Sequence, residues 1–279
     1  MNTLRQYFDQ YKSNHLSLPA FNIDCFEIYQ AVESAVSETN LPCIVQLSTG
    51  EDIFVRAERL LMLVKKARIE GLPIFLNMDH GKDISRLKRL LTLGFDMVHF
   101  DGSAFSYQEN LEISKNFISE IRHSNPDSLI EVEFNKINLI ENGFSAESFT
   151  KPLQASEFMS ATGADLLAVS IGNLHGVNTT YPENIDLDLL SQIAASIPEN
   201  FLTLHGGSGI SPEQIDRAIQ TGIVKININT DLRLKYLSSL RHSLSAINSE
   251  KIYEYLAPAI DEVKEIVKQR IVQLSLSHS

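Results

Sequence analysis

Phe201-Leu202-Thr203-Leu204-His205-Gly206-Gly207-Ser208-Gly209-Ile210-Ser211-Pro212-Glu213-Gln214-Ile215-Asp216-Arg217-Ala218-Ile219 contains one complete copy of the unit from which the chain is built. Phe201 to Leu204 is a short apolar run of strand type, and the glycine-rich segment after it interrupts the run. Ser211-Pro212-Glu213 then supplies a helix cap, a first-turn proline and an early acidic residue, and Ile215, Ala218 and Ile219 fall on one helical face. Seven further runs of the same kind occur: Ala20 to Ile23, Cys43 to Leu47, Ile74 to Met78, Met97 to Phe100, Leu129 to Phe134, Leu166 to Ile171 and Val224 to Ile228. Most are continuously apolar, as parallel strands covered on both faces are. Helical periods such as Ile28, Ala31, Val32, Ala35 and Val36 lie between them. Eight such units predict an α/β fold, a (β/α)8 TIM barrel, as a single domain over residues 1–279. A doubly wound open sheet would alternate in the same way, but the count of eight and the lack of a glycine-rich dinucleotide loop after the first run argue against it.

The bulk properties fit that size and limit the partners. With 279 residues and 43% hydrophobic content, the chain can fill one barrel core. Its 24 basic and 35 acidic residues leave a net charge of -11, which disfavours nucleic acid and anionic membrane surfaces and points to a small-molecule substrate. Met1-Asn2-Thr3-Leu4-Arg5 opens no apolar signal core, and no stretch approaches the ~20 apolar residues of a membrane span, so a cytoplasmic location is expected. Cys25 and Cys43 form no CxxC pair; two such thiols suit a reducing compartment and are not expected to bind metal.

In a barrel the reactive groups sit just beyond the C-terminal ends of the strands. Here those positions hold Asn22 and Asp24, Ser48, Asp79 and His80, Asp101, Glu133, His175, His205, and Asn227, Asn229 and Thr230. One histidine at a strand end would read as a core or capping residue. Three of them, after runs three, six and seven, converge on one rim and suit a divalent metal with one coordination position left for substrate. His15, His99, His123, His242 and His278 fall in a loop, a strand interior, helices or the tail and receive no ligand role. Gly172 to Gly176 and His205 to Gly209 are candidate phosphate cradles, because glycine lets backbone amides approach an anion and the second segment leads into a helix N-terminus.

Six ordered landmarks carry a family resemblance: Asn77-Met78-Asp79-His80-Gly81, Phe100-Asp101-Gly102-Ser103, Glu131-Val132-Glu133, Ser170 to Gly176, Leu204 to Gly209 and Lys225 to Asp231. Together they resemble the class II, zinc-dependent ketose-bisphosphate aldolases of the fructose-bisphosphate and tagatose-bisphosphate type. The resemblance implies one catalytic Zn2+ per subunit on His80, His175 and His205, with Glu133 as a further carboxylate near the metal, and leaves room for a monovalent cation. It makes Asp79 the acid that protonates the hydroxyl derived from the aldehyde, and Asn227 a partner of the substrate hydroxyl or enediolate oxygen. Gly176, Gly206, Ser208, Asn229 and Thr230 would hold the phosphate of dihydroxyacetone phosphate, with Asn22 also on the substrate and Ser48 toward a second phosphate. It further implies a homodimer or homotetramer.

Two segments depart from the family. The loop after the fifth run, Glu133-Phe134-Asn135-Lys136-Ile137-Asn138-Leu139-Ile140-Glu141, keeps the family's general base at Glu141 but has lost three glycines around it. Near the C-terminus Tyr253 stands where the family has an arginine for the distal phosphate, and Lys251 or Arg233 are the candidate replacements. The implied reaction is reversible cleavage of a ketose phosphate into dihydroxyacetone phosphate and an aldehyde, with fructose 1,6-bisphosphate as the first substrate to test. Tagatose 1,6-bisphosphate or a deoxy-keto-sugar phosphate are the alternatives, and the altered base loop also admits an aldolase-like binding or regulatory subunit with weak turnover. A sugar-phosphate isomerase is disfavoured by the six landmarks.

Overall fold

The computed structural model describes residues 2–137, 148–174, 176 and 184–276. Eight strands, β1 (Leu18–Asn22), β2 (Cys43–Leu47), β3 (Ile74–Gly81), β4 (Met97–Asp101), β5 (Leu129–Glu133), β6 (Leu166–Val169), β7 (Phe201–Leu204) and β8 (Ile223–Ile228), run parallel and close in sequence order, β8 pairing β1. The helices are α1 (Leu4–Ser13), α2 (Phe26–Thr39), α3 (Thr49–Val55), α4 (Ala57–Ile69), α5 (Ile84–Leu93), α6 (Tyr107–Ser124), α7 (Pro152–Thr162), α8 (Leu187–Ser196), α9 (Pro212–Thr221), α10 (Thr230–Ala246) and α11 (Ile252–Ser275). The TIM barrel is therefore the fold, with every expected run in a strand. Among the described residues no helix is long and apolar enough to cross a membrane.

Side chains alternate across a strand, so each strand sends every second residue into the barrel. Lowest is an apolar ring that includes Leu18, Ile44, Phe75, Met97, Leu129, Leu166, Phe201 and Val224. Helix α1, opened by a Thr3/Gln6 capping box, lays Leu4, Phe8 and Tyr11 against this ring and closes the N-terminal mouth. Phe8 meets Phe201 with ring centroids 5.2 Å apart. Above the ring lies a polar layer: Gln46, Asn77, His99, Glu131, Thr203 and Lys225 are all buried. A register shift between β7 and β8 places Lys225 opposite Thr203. The top layer carries Asn22, Asp79, Asp101, Glu133, His205 and Asn227.

The outer faces of the strands pack on the helices in the larger core. The C-terminal stripe of Val263, Val267 and Ile271 is buried within it, with Ile260 partly buried alongside, so α11 covers the barrel as its periodicity suggests.

Candidate active site

Strand β3 is longer than its apolar run, and Asp79 and His80 belong to it rather than to a following loop. Pairing with β4 is irregular between Met78 and Gly81, and His80 has φ 48°, in the left-handed region that residues other than glycine seldom occupy. The kink is held from below: the His80 backbone N–H donates to His99 Nδ1 at 3.1 Å. Two consecutive residues, Asp79 and His80, thus both reach the barrel axis.

His80 Nε2 and His205 Nδ1 face each other at 3.0 Å. The remaining nitrogen of each ring is held by a carboxylate. His205 Nε2 donates to Glu131 Oε1 at 2.8 Å, and His80 Nδ1 lies 3.3 Å from Asp101 Oδ2 and 3.5 Å from Glu133 Oε2. Glu131 is itself fixed by Lys225 Nζ at 2.9 Å, and the same ammonium donates to Asn227 Oδ1 at 2.8 Å. Asp79 accepts from Asn22 and Gln46 on one oxygen and from Asn227 on the other, each at 3.2 Å.

The charges follow from this crowding. Burial works against ionised Asp79, but His80, His99, His205 and Lys225 outweigh it and hold the carboxyl well below the usual range. Burial also opposes a charged His80, yet Asp79, Asp101 and Glu133 raise its pKa to about 10. Burial takes His205 down to about 3 in spite of Glu131, so this ring is neutral. Glu133 is pushed up to about 7 by burial, with Asp101 adding to the rise and His80 opposing it.

These groups fit a divalent cation. Two nitrogens bound tetrahedrally at 2.0–2.1 Å stand roughly 3.3 Å apart, close to the His80–His205 spacing. Carboxylates on the outer nitrogens orient the rings as metal-bound imidazoles require. Asp79, His80, His99 and His205 bring donor atoms within 4.8 Å of one another, as do His80, Asp101 and Glu133. Glu133 Oε2 and His99 Nε2 are buried, 3.4 Å apart, and have no hydrogen-bond partner among the described residues.

A cavity of about 780 Å3 opens above these groups. Asn22, Ser48, Asp79, His80, Glu133, Gly176, His205, Gly206, Ser208, Asn227, Asn229 and Thr230 all line it. Gly206, at φ 75°, has no room for a side chain: a Cβ there would meet the Leu174 carbonyl oxygen at 2.0 Å. Helices α3, at Ser48 and Thr49, and α10, at Thr230, open on this cavity, and α9 does not. Ser211 is spent on the Gln214 N–H of α9, and neither it nor Pro212 lines the cavity.

His175 and Glu141 lie outside the described residues. Tyr253 is exposed on α11, with the Lys251 ammonium 5.9 Å above its ring, and neither lines the cavity, whereas Arg233 does. Sequence reasoning gave His99, Glu131 and Lys225 no role. Their signal was present as polar residues at inward positions of otherwise apolar strands, where burial demands a partner.

The comparisons agree over nearly the whole chain. The profile of the family described as fructose-bisphosphate aldolase class-II matches residues 2–278. A fructose-bisphosphate aldolase of Streptococcus pneumoniae is 28% identical over 274 residues, 93% of this chain and 92% of the relative; one of Streptococcus pyogenes is 28% identical over 277 residues at the same coverage. The crystal structure of the YdjI aldolase of Escherichia coli K12 superposes with a TM-score of 0.85 at 27% identity, covering 97% of this chain and 96% of that one. A fructose-bisphosphate aldolase of Campylobacter jejuni shares the fold, with a TM-score of 0.77 at 19% identity over 97% and 93% of the two chains. With the metal-suited rings at one end of a closed barrel and a family match from end to end, this chain belongs to the class II fructose-bisphosphate aldolase family and is an aldolase, a lyase of the metal-binding class.

Proposed function

We propose that the protein is a zinc-dependent aldolase that reversibly cleaves a ketose carrying a 1-phosphate into dihydroxyacetone phosphate and an aldehyde. The observation that carries this reading is the pair of facing rings, His80 and His205, each held from behind by a carboxylate, with Asp79 beside them. His80 and His205 would hold the zinc together with His175, and Glu133 would stand next to it. Bound there, zinc supplies Lewis acidity to the carbonyl and hydroxyl oxygens of the ketose, which lowers the cost of developing carbanion charge.

The protein groups supply the rest. Asp79, kept ionised, is ready to take the hydroxyl proton when the carbon–carbon bond breaks and to return it in the reverse direction. Asn227, gripped by Lys225 through its oxygen, aims its NH2 at the centre of the site, where it can donate to a substrate oxygen. Gly176, Gly206, Ser208, Asn229 and Thr230 line the cavity and would cradle the 1-phosphate, favoured by the N-terminus of α10. Glu141 is the proposed base for the adjacent C–H. Assembly as a homodimer or homotetramer in the cytoplasm belongs to the same proposal.

Zinc-loaded protein mixed with dihydroxyacetone phosphate in heavy water should exchange the substrate's α-proton, and added aldehyde should give a ketose phosphate. Binding without exchange or condensation would leave only a binding or regulatory role.

A further inference from the structure

Resting on the aldolase reading, we infer that Glu51 is a specificity determinant that excludes phosphate from the distal end of the substrate, so the preferred aldehyde half is uncharged and hydroxylated. Ser48, which the aldolase reading places toward a second phosphate, and Asn22 already serve an anion of the protein's own. The Ser48 backbone N–H donates to Glu51 Oε2 at 2.6 Å, and Asn22 Nδ2 donates to the same oxygen at 3.0 Å. Glu51 Oε1 accepts from Asn229 Nδ2 at 3.1 Å.

The first of these bonds has an ordinary local origin. Ser48 caps α3, and Glu51, three residues on, returns its carboxylate to the cap in a capping box. Asn22 on β1 and Asn229 after β8 are not needed for that. They draw a buried carboxylate across two further strands, directly behind residues that line the cavity.

Three consequences bear on a phosphate at this end. The Ser48 amide is not free to bind it, because its N–H is taken by Glu51. The Asn22 NH2 bridges Glu51 and Asp79, so it already sits between two carboxylates. A third carboxyl nearby, Asp24, is pushed up to about 6 by burial and by Glu51, with Arg233 opposing, and its buried Oδ2 has no hydrogen-bond partner among the described residues. A dianion would add to repulsion the wall already carries, and selectivity built from a repulsive group is a general device.

Cations at the cavity do not cancel this. Arg86 is bound by Asp52 and Glu58, and Arg233 reaches Asp24 at 3.8 Å. Lys82 lies 4.0 Å from Asp101 and is largely exposed, and Lys136 is exposed at the rim. Hydroxyl groups, by contrast, carry no charge for this wall to repel.

The test is condensation of dihydroxyacetone phosphate with glyceraldehyde or with glyceraldehyde 3-phosphate on the zinc-loaded full-length protein. The unmodified protein should show at least a tenfold higher kcat/KM for glyceraldehyde. Glu51→Gln, which keeps the acceptor for the Ser48 N–H and loses the charge, should move that ratio at least tenfold toward the phosphorylated aldehyde, chiefly through a lower KM. A lost cap alone would lower both rates together and leave the ratio in place. A wild-type preference for glyceraldehyde 3-phosphate overturns the inference without any variant, and an unchanged ratio in Glu51→Gln overturns the role of Glu51. Failure of the aldolase reading looks different: neither aldehyde condenses and the α-proton of dihydroxyacetone phosphate does not exchange.

Discussion

Lys225 Nζ lies 2.9 Å from Glu131 Oε2, and both side chains are fully buried at the centre of the barrel. Removing one partner of a buried pair strands the other charge, at a cost of about 3–5 kcal/mol. Lys225→Met should therefore lower unfolding stability by that order, read by denaturant titration. Glu131→Gln carries a second penalty, because the same carboxylate orients His205: metal affinity should fall about 10–100-fold. The double variant should recover part of the stability but none of the affinity, and additive losses in stability would show that the two residues act independently.

His205→Ala should remove tightly held metal and activity together, measured by metal analysis after gel filtration. Asp79→Asn should retain the metal while kcat falls about 10²–10⁴-fold, the usual scale for a general acid–base group. A His205→Ala protein that keeps one metal ion per chain would refute the ligand assignment.

Metal uptake should release protons. With its pKa raised to about 10, His80 carries a proton at neutral pH when no metal is bound, and a metal ligand must give that proton up. About one proton per metal should appear in calorimetry across buffers of different ionisation enthalpy near pH 8. Affinity should rise close to tenfold per pH unit from pH 8 toward 10 and level off above the His80 pKa, in buffers where metal hydrolysis is suppressed. Affinity independent of pH over that range would mean that His80 is already neutral.

His99→Met tests the kink. Without His99 Nδ1 the buried N–H of His80 loses its acceptor, which costs about 1–3 kcal/mol and frees a residue held at positive φ. Cobalt-loaded protein should show an altered visible spectrum along with the lower melting temperature. A spectrum identical to that of the parent would confine His99 to packing.

Phe8→Ala removes the ring that α1 sets against Phe201, and a large-to-small change in a packed core of this kind costs about 3–5 kcal/mol. Thermal unfolding should move down while KM at 25 °C stays the same, since Phe8 sits at the opposite end of the barrel from the cavity.

The architecture was open to sequence reading because each strand announces itself by an apolar run and the helices by caps such as Ser211-Pro212-Glu213. Strand ends were less accurate: β3 continues through Gly81 because polar Asp79 and His80 still pair there around an irregularity that no periodicity encodes. At the site, Asp79, His80 and His205 could be read from their positions at strand ends. Glu131, Lys225 and His99 could not be read that way, since they sit one layer lower and have meaning only through partners on other strands. Glu51 was hidden for a different reason: Ser48-Thr49-Gly50-Glu51 reads as a capping box, and its bonds to Asn22 and Asn229 are 29 and 178 residues away in sequence.

With α1 seated in its floor, the barrel is a cup and not a tube. Glu131, Lys225 and His99 are fully buried between that floor and the cavity, so their route to solvent runs toward the cavity and whatever fills it is also the stopper. A bound molecule seals the charges beneath it from bulk solvent, and in drier surroundings their interactions with His205 and Asn227 strengthen.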